Sequence, residues 1–438
     1  MPIRKHRQER FAARSGSAGG FIYIEALMVI MVLVALMAVI AADQRASLKE
    51  TQTGLNRRRA DAAAASGVAY ALGALQQANP NLVTQNDAWA QLDQNGATQY
   101  SLTDSSFRVE VVDRASQINV NTATTTWLQQ LPLTTDQVDS LLDWRETGTQ
   151  ARADGAKDAY YNGLTKPYNA RLGPLATVDE LLLIKGWTGA TLYQPPTTTQ
   201  SAATLPVDTN GNALPLAAIV TVDSGSPTVQ ANGSARINLS QRITNIGTLT
   251  RAGISRGAAL QIIQRGPFNN FRTLLTRIQA NAADTQRLLN VASFSTGTRN
   301  TGKINLNTAT QAVLMTIPNM TEPIASSIVS QQSSGFQTLG QLATLAGMPL
   351  PQISQFADYF DVGSDTWLIR SYGESGGVGS ALEVTVRVSS STPRVMTWQR
   401  LNTAGLPSWW DWDATAGTTS DATSITNTST TSTVGGAQ

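Results

Sequence analysis

Gly20-Phe21-Ile22-Tyr23-Ile24-Glu25-Ala26-Leu27 opens a run that continues from Met28 to Ala42 without another charge. Ahead of it, Arg4, Lys5, Arg7, Arg10 and Arg14 stand against the single acid Glu9, and Ser17, Ala18, Gly19 and Gly20 close this basic leader. The run from Phe21 is about twenty residues, enough to cross a hydrocarbon core of ~30 Å at ~1.5 Å rise per residue. It reads as a single membrane-spanning helix, with the basic N-terminal side cytoplasmic and the bulk of the chain exported. A secretory signal peptide is cut after its apolar run, whereas here the small residues precede it, so cleavage there leaves the helix in the product. Glu25 is the costly residue: a carboxylate inside a bilayer costs on the order of 3 kcal/mol or more unless it finds a partner or snorkels to the interface.

Beyond the apolar run, Leu48, Leu55, Ala62, Val68, Ala69, Leu72 and Leu75 recur at helical spacing. One helix of about 55 residues, ~80 Å, is predicted, with Gly54, Gly67 and Gly73 as weak points and Asn79-Pro80-Asn81 as its stop. Gln99 to Leu102 and Phe107 to Val112 read as strands, Phe107, Val109 and Val111 alternating with Arg108 and Glu110. Matching strands come only near the far end, at Thr366 to Tyr372, Ala381 to Ser389 and Arg394 to Leu401. The fold class this predicts is α+β: a long N-terminal helix packed on a small antiparallel sheet, with a large all-α domain inserted in the sheet. The boundaries read are 1–20 leader, 21–42 membrane span, 43–112 first part of the helix-and-sheet domain, 113–363 insertion, 364–413 last strands and 414–438 tail. That tail, rich in Ser and Thr, is expected to stay disordered because it has little apolar surface to bury.

The insertion contains a repeat. Ile118-Asn119-Val120-Asn121-Thr122-Ala123-Thr124 recurs as Ile304-Asn305-Leu306-Asn307-Thr308-Ala309-Thr310, and Arg236-Ile237-Asn238-Leu239-Ser240 is a degenerate third copy. Each copy precedes helical spacing, and Asn307 or Thr308 is expected to cap the first helix of its unit. Helix starts are read at Thr177-Val178-Asp179-Glu180, Phe271-Arg272-Thr273 and Phe336-Gln337-Thr338. The units resemble helix-hairpin-helix (SAM-like) modules, in which a Gly-rich turn at a helix N-terminus holds a phosphate. Only the middle copy, with Arg251, Gly253, Arg256 and Arg265, keeps basic residues around such a turn. Nucleic acid is therefore the alternative partner rather than the leading one.

Composition narrows function further. The chain has no cysteine, which removes disulfides, thiolate metal sites and a cysteine nucleophile. His6 is the only histidine and lies in the leader, so the exported part has no histidine for acid–base or metal chemistry. No Walker or dinucleotide fingerprint is present, and Gly373-Glu374-Ser375-Gly376-Gly377 reads as a turn before a strand. No enzyme is expected. The run Trp409-Trp410-Asp411-Trp412 is read as packing on the last sheet edge or on a partner.

Two resemblances add to this. Gly20, Phe21 and Glu25 in that order resemble the processing site of type IV pilins and pseudopilins, which implies cleavage between Gly20 and Phe21 by a prepilin peptidase, methylation of Phe21, and assembly through Glu25 and a neighbour's amine. The order Leu141-Leu142-Asp143-Trp144-Arg145-Glu146, Ala153-Asp154-Gly155-Ala156-Lys157-Asp158-Ala159-Tyr160-Tyr161, Pro167-Tyr168 and Gly173-Pro174-Leu175 is more specific. With Asp179 to Gly186, Trp367-Leu368-Ile369-Arg370-Ser371 and Val395 to Arg400, it resembles the minor pseudopilin K family of type II secretion systems (general secretion pathway protein K). That resemblance implies a pilin-like fold in the inner membrane, at the tip of a periplasmic pseudopilus. Implied partners are the minor pseudopilins I and J, the major pseudopilin G, the prepilin peptidase and the inner-membrane assembly platform. It also implies calcium as a bound ion, with Asp143, Glu146, Asp154 and Asp158 as the carboxylates in the matching region; calcium takes six to eight hard oxygens. Two features depart from the family: Glu25 stands where members generally carry an apolar residue, and the middle repeat with the stretch 195–226 lengthens the insertion. A type IV pilus minor pilin is the other assembly reading of the leader.

Overall fold

The computed structural model describes residues 18–92, 96–196, 205–345, 347–389, 392–403, 405–410, 412 and 418–421. Two compact units are present, Met1–Arg58 and Arg59–Gln438. Helix α1 runs unbroken over Ala18–Leu75, which matches the single helix expected from spacing. In the first unit every large apolar side chain from Tyr23 to Ile40 is exposed. Among the described residues this is the one helix long and apolar enough to cross a membrane.

In the second unit the last turns of α1 bury Ala63, Ala64, Val68, Ala71 and Leu75 against a sheet. Its strands are β1 (Thr98–Ser101), β2 (Ser106–Asp113), β3 (Thr366–Ser375), β4 (Val378–Val388), β5 (Pro393–Leu401) and β6 (Thr418–Asp421). The order is β5-β4-β3-β2-β1-β6, antiparallel except for the parallel β1–β6 pair. Period-two alternation decides the faces: Phe107, Val109, Val111, Trp367, Ile369, Val384 and Val386 pack toward α1. The helix approaches so closely that a Cβ on Gly67 would lie 2.2 Å from Ser371 Oγ, and one on Gly373 2.1 Å from the Ala60 carbonyl. Gly54 and Gly73 have open space around their Cα hydrogens, so only Gly67 of the three helical glycines is set by packing. Gly376 and Gly377, at φ 53° and 76°, make the two-residue turn joining β3 to β4, with Ser375 opposite Val378.

The chain leaves the sheet after Asp113 and rejoins it at Thr366, Asp113 lying opposite Trp367. The insertion between is not all-α. Each repeat opens with a two-residue strand that pairs in parallel with another near its own end: Ile118–Asn119 with Val220–Thr221, Ile237–Asn238 with Ala292–Ser293, and Ile304–Asn305 with Phe360–Asp361. Three modules, 118–221, 237–293 and 304–361, are thus each closed on themselves. All three contribute to one continuous apolar core. The first helix of the outer modules is capped by Thr124 and Thr310, whose hydroxyls accept from the Trp127 and Val313 amides; the expected caps, Asn307 and Thr308, are used elsewhere. The tail also departs from expectation at Thr418–Asp421, which pairs with β1. An open sheet edge offers unpaired backbone groups to any segment that reaches it, even one of low hydrophobicity; the other residues beyond 412 lie outside the described residues.

Candidate functional site

The anchor comes first. Gly20 and Phe21 fall in the opening turn of α1, but their side chains and the leader up to residue 17 lie outside the described residues. Glu25 is exposed and has no hydrogen-bond or ion-pair partner among the described residues. Its surroundings are Tyr23, Ile24, Leu27 and Met28, all exposed and apolar. A carboxylate in that setting is a group awaiting a partner outside the chain if the helix lies in lipid.

The repeated asparagines hold the modules together. Asn121 donates through Nδ2 to the carbonyls of Leu175 and Val222, at 2.9 and 2.8 Å, and accepts the Leu175 amide at 2.8 Å. Asn307 does the same with Phe336, donating to its carbonyl at 3.0 Å and accepting its amide at 2.5 Å. One side-chain amide, bearing both donor and acceptor, thereby fixes the chain just ahead of a later helical stretch of its module, Val178–Leu183 in the first and Leu339–Thr344 in the last. The middle copy has Ser240 at this place, bonded instead to Asn238. Asn305 and Thr308 reach across to the sheet and donate to Asp113 Oδ2 at 2.9 and 2.6 Å. Burial raises the pKa of Asp113, opposed by hydrogen bonds from Ser364, Thr308, Asn305 and the Ala115 amide.

The four carboxylates of the calcium expectation do not converge. Asp143 is buried, and both its oxygens are taken by Arg152: the guanidinium Nη1 at 2.7 Å and the backbone N–H at 2.9 Å. The other guanidinium nitrogen binds Glu146 Oε2 at 2.6 Å. The buried Lys157 ammonium donates to the carbonyl of Asp143 and, at 2.7 Å, to that of Glu146. Asp158 accepts the Ala170 amide at 2.7 Å, while Asp154 is exposed and offers only its carbonyl to Lys185. A Cβ on Gly155 would lie 1.9 Å from Asp143 Oδ2, so the loop folds directly over that carboxylate. Two cations already sit where a divalent ion would need oxygens, and the residues present do not fit calcium. Among the described residues no group of three His, Cys, Asp or Glu side chains comes together. The sequence shows Arg145 and Arg152 interleaved with these carboxylates; Lys157 is the residue that sequence reading passed over, and its place beside Asp158 was the available signal.

The tryptophan run closes the sheet face away from α1. Trp410 Nε1 donates to Glu383 at 2.6 Å and Trp412 Nε1 to Glu110 at 3.0 Å. Arg370 bridges to the same Glu110 at 3.1 Å, and the Arg108 guanidinium lies 5.2 Å from the Trp412 ring centre. Gly96, at φ 56°, is required there, because a Cβ would fall 2.4 Å from the Trp412 ring. A cleft of about 480 Å³ lies between this face and the first module. Its carboxylates are satisfied internally: Asp179 by Tyr193 and by Gln399 at 2.8 Å, and Asp223 by Arg299 at 2.9 Å and by Arg387. Burial, together with hydrogen bonding to Asp179, drives the Tyr193 hydroxyl pKa upward. The cleft is thus a polar seam between insertion and sheet.

In the middle module Gly253, at φ 85°, makes the hairpin between Ile246–Arg251 and Arg256–Arg265. Asp284, also buried, accepts the Ser255 amide at 2.8 Å and the Ser255 hydroxyl at 2.7 Å. A protein carboxylate therefore takes the helix N-terminal position that a phosphate would occupy in a nucleic-acid-binding hairpin.

Among curated proteins, none matches the chain. A solved structure, the GspK-GspI-GspJ complex of the enterotoxigenic Escherichia coli type 2 secretion system, contains a chain with 14% identity. The match covers 82% of this chain and 100% of that one at a TM-score of 0.44. Residues 111–194, the end of β2 and most of the first module, match the family model for type II secretion system (T2SS), protein K, which is the family the sequence itself resembles.

Proposed function

We propose that the chain is a minor pseudopilin of a type II secretion system, held in the inner membrane by α1 and serving at or near the tip of a periplasmic pseudopilus in protein export. The observation that carries this is the protein K match over residues 111–194 on a chain that also bears an apolar, exposed N-terminal helix. In this reading the leader is removed between Gly20 and Phe21, Phe21 is methylated, and Glu25 is neutralised by the terminal amine of a neighbouring subunit. The modules 118–361 then present contact surface to the minor pseudopilins I and J above a shaft of pseudopilin G. Glu25 gives this subunit a means of accepting a neighbour's amine, so a position one layer below the very end is compatible with the same chemistry.

The test is mass spectrometry of the membrane form together with pull-out of assembled filaments. Mature protein starting at methylated Phe21 is expected, and Glu25→Ala should lower incorporation without unfolding the exported part. Protein that retains Met1, or that starts after Ala42, would overturn the proposal.

A further inference from the structure

Charge is segregated among the three modules. Residues 237–293 hold seven arginines, no lysine and the single acid Asp284, a net of +6, in a chain whose total is only +2. The module before it carries nine acids against six cations, and the one after it three acids and no cation. All seven arginines are exposed, and none forms a salt bridge among the described residues. The one acid that might have balanced them is buried on Ser255.

The helix Arg256–Arg265 organises these charges. Its exposed arc runs from Arg256 through Leu260, Gln264 and Gly257 to Arg265, about half a turn round the axis from Arg256, while Ala258, Ala259 and Ile262 are buried. At its start the Arg287 guanidinium lies against Gly253, between Arg251 and Arg256 in the chain. At its end Arg265 donates to the carbonyl of Arg277, which brings a second arginine alongside. Arginines thus stand at both ends of the helix, about 14 Å apart along its axis and at the two edges of the exposed arc, with Leu260, 43% exposed, between them.

We infer that this face docks an acidic protein segment, one with two groups of carboxylates flanking an apolar side chain. Three observations favour protein over nucleic acid. The hairpin's anion position is filled by Asp284. The cations are all arginine, which forks onto carboxylates and is enriched at protein interfaces where lysine is depleted. An exposed leucine at the centre of the face has apolar surface to bury on a protein side chain and none to gain from a phosphate backbone. The inference does not depend on which filament the chain belongs to.

The experiment uses the full-length protein reconstituted in uncharged lipid nanodiscs, free of detergent, and a fluorescent peptide of repeated Glu-Glu-Leu-Glu units, with the Lys-for-Glu peptide, a 20-base-pair DNA duplex and anionic lipid vesicles as competitors. The acidic peptide is expected to bind at low salt and to weaken as salt rises. The Arg256→Glu, Arg265→Glu pair should weaken it at least about tenfold, the milder Arg→Gln pair less, and Leu260→Ser about threefold, which is the mark of a seated side chain rather than diffuse attraction. Any of the following overturns the proposal: no binding of the acidic peptide, binding indifferent to Leu260→Ser, or displacement by DNA or vesicles at lower concentration than by unlabelled peptide. Circular dichroism of each variant separates loss of the face from loss of the fold.

Discussion

Asp113, the last residue of β2, accepts a 2.9 Å hydrogen bond from the side-chain amide of Asn305, the second residue of the last repeat. The sheet and the third module therefore share one fully buried carboxylate, which also caps the turn at Ala115. Asp113→Ala should destabilise the unit Arg59–Gln438 by about 2–3 kcal/mol, because it strands the Asn305 and Thr308 donors.

The pH dependence of that loss has a defined sign. Burial raises the folded-state pKa of Asp113 above 3.8, so the folded protein binds the proton more tightly than the unfolded chain. Stability falls as pH rises from the unfolded value through the raised one. The advantage of the natural protein over Asp113→Ala is expected to be largest near pH 4 and to shrink toward neutrality. Denaturation of both proteins across that range checks it, and a constant difference would refute the assignment.

Arg152 pairs with a buried carboxylate and a half-exposed one, at 2.7 and 2.6 Å. Arg152→Met should cost about 2–3 kcal/mol by leaving Asp143 unpaired, a figure discounted for the partial exposure of the guanidinium. The natural protein should melt at the same temperature in calcium and in chelator. Calcium-dependent melting would show that the loop opens to admit an ion.

The helical glycines divide sharply. Gly67→Val should destabilise by about 3 kcal/mol or more through collision with Ser371 and Phe107, whereas Gly73→Ala, with open space around it, should stabilise by about 0.5–1 kcal/mol. Thermal melts of the two variants suffice to compare them.

Trp410→Phe keeps most of the packing and removes the 2.6 Å bond to Glu383. A loss of about 1–2 kcal/mol is expected, with Trp409 Nε1, now at 3.3 Å, as the remaining indole donor to that carboxylate. Tryptophan fluorescence during urea unfolding reports both the loss and any loosening of the outer face.

Much of this architecture was legible because it rests on local periodicity. Alternation at Phe107, Val109 and Val111 and the helical spacing of Leu48 to Leu75 set strand faces and helix without reference to anything distant. The repeat marked where modules begin, since Ile-Asn pairs open all three. What could not be read was the partner across space. Val220, Ala292 and Phe360 carry no shared signature, so the closing strands were invisible, and Asn307 looked like a cap because its long-range amide contact leaves no mark in spacing. The family resemblance implied metal ligands around Asp143; sequence order shows that Arg152 lies nearby, not that its fork points inward.

The split of the sheet constrains how the chain is put together. β2 meets β3 only across about 250 intervening residues, and closing a loop of that length as a flexible coil carries a substantial entropic cost. Modules that seal their own ends shorten the effective tether once they are formed, and the third holds Asn305 on Asp113, the residue opposite Trp367 where the sheet resumes. Until the two strands pair, the apolar side of β2 and the Ala-rich side of α1 have no complete cover, so the folding chain passes through an interval in which premature contact with other strands is its chief hazard.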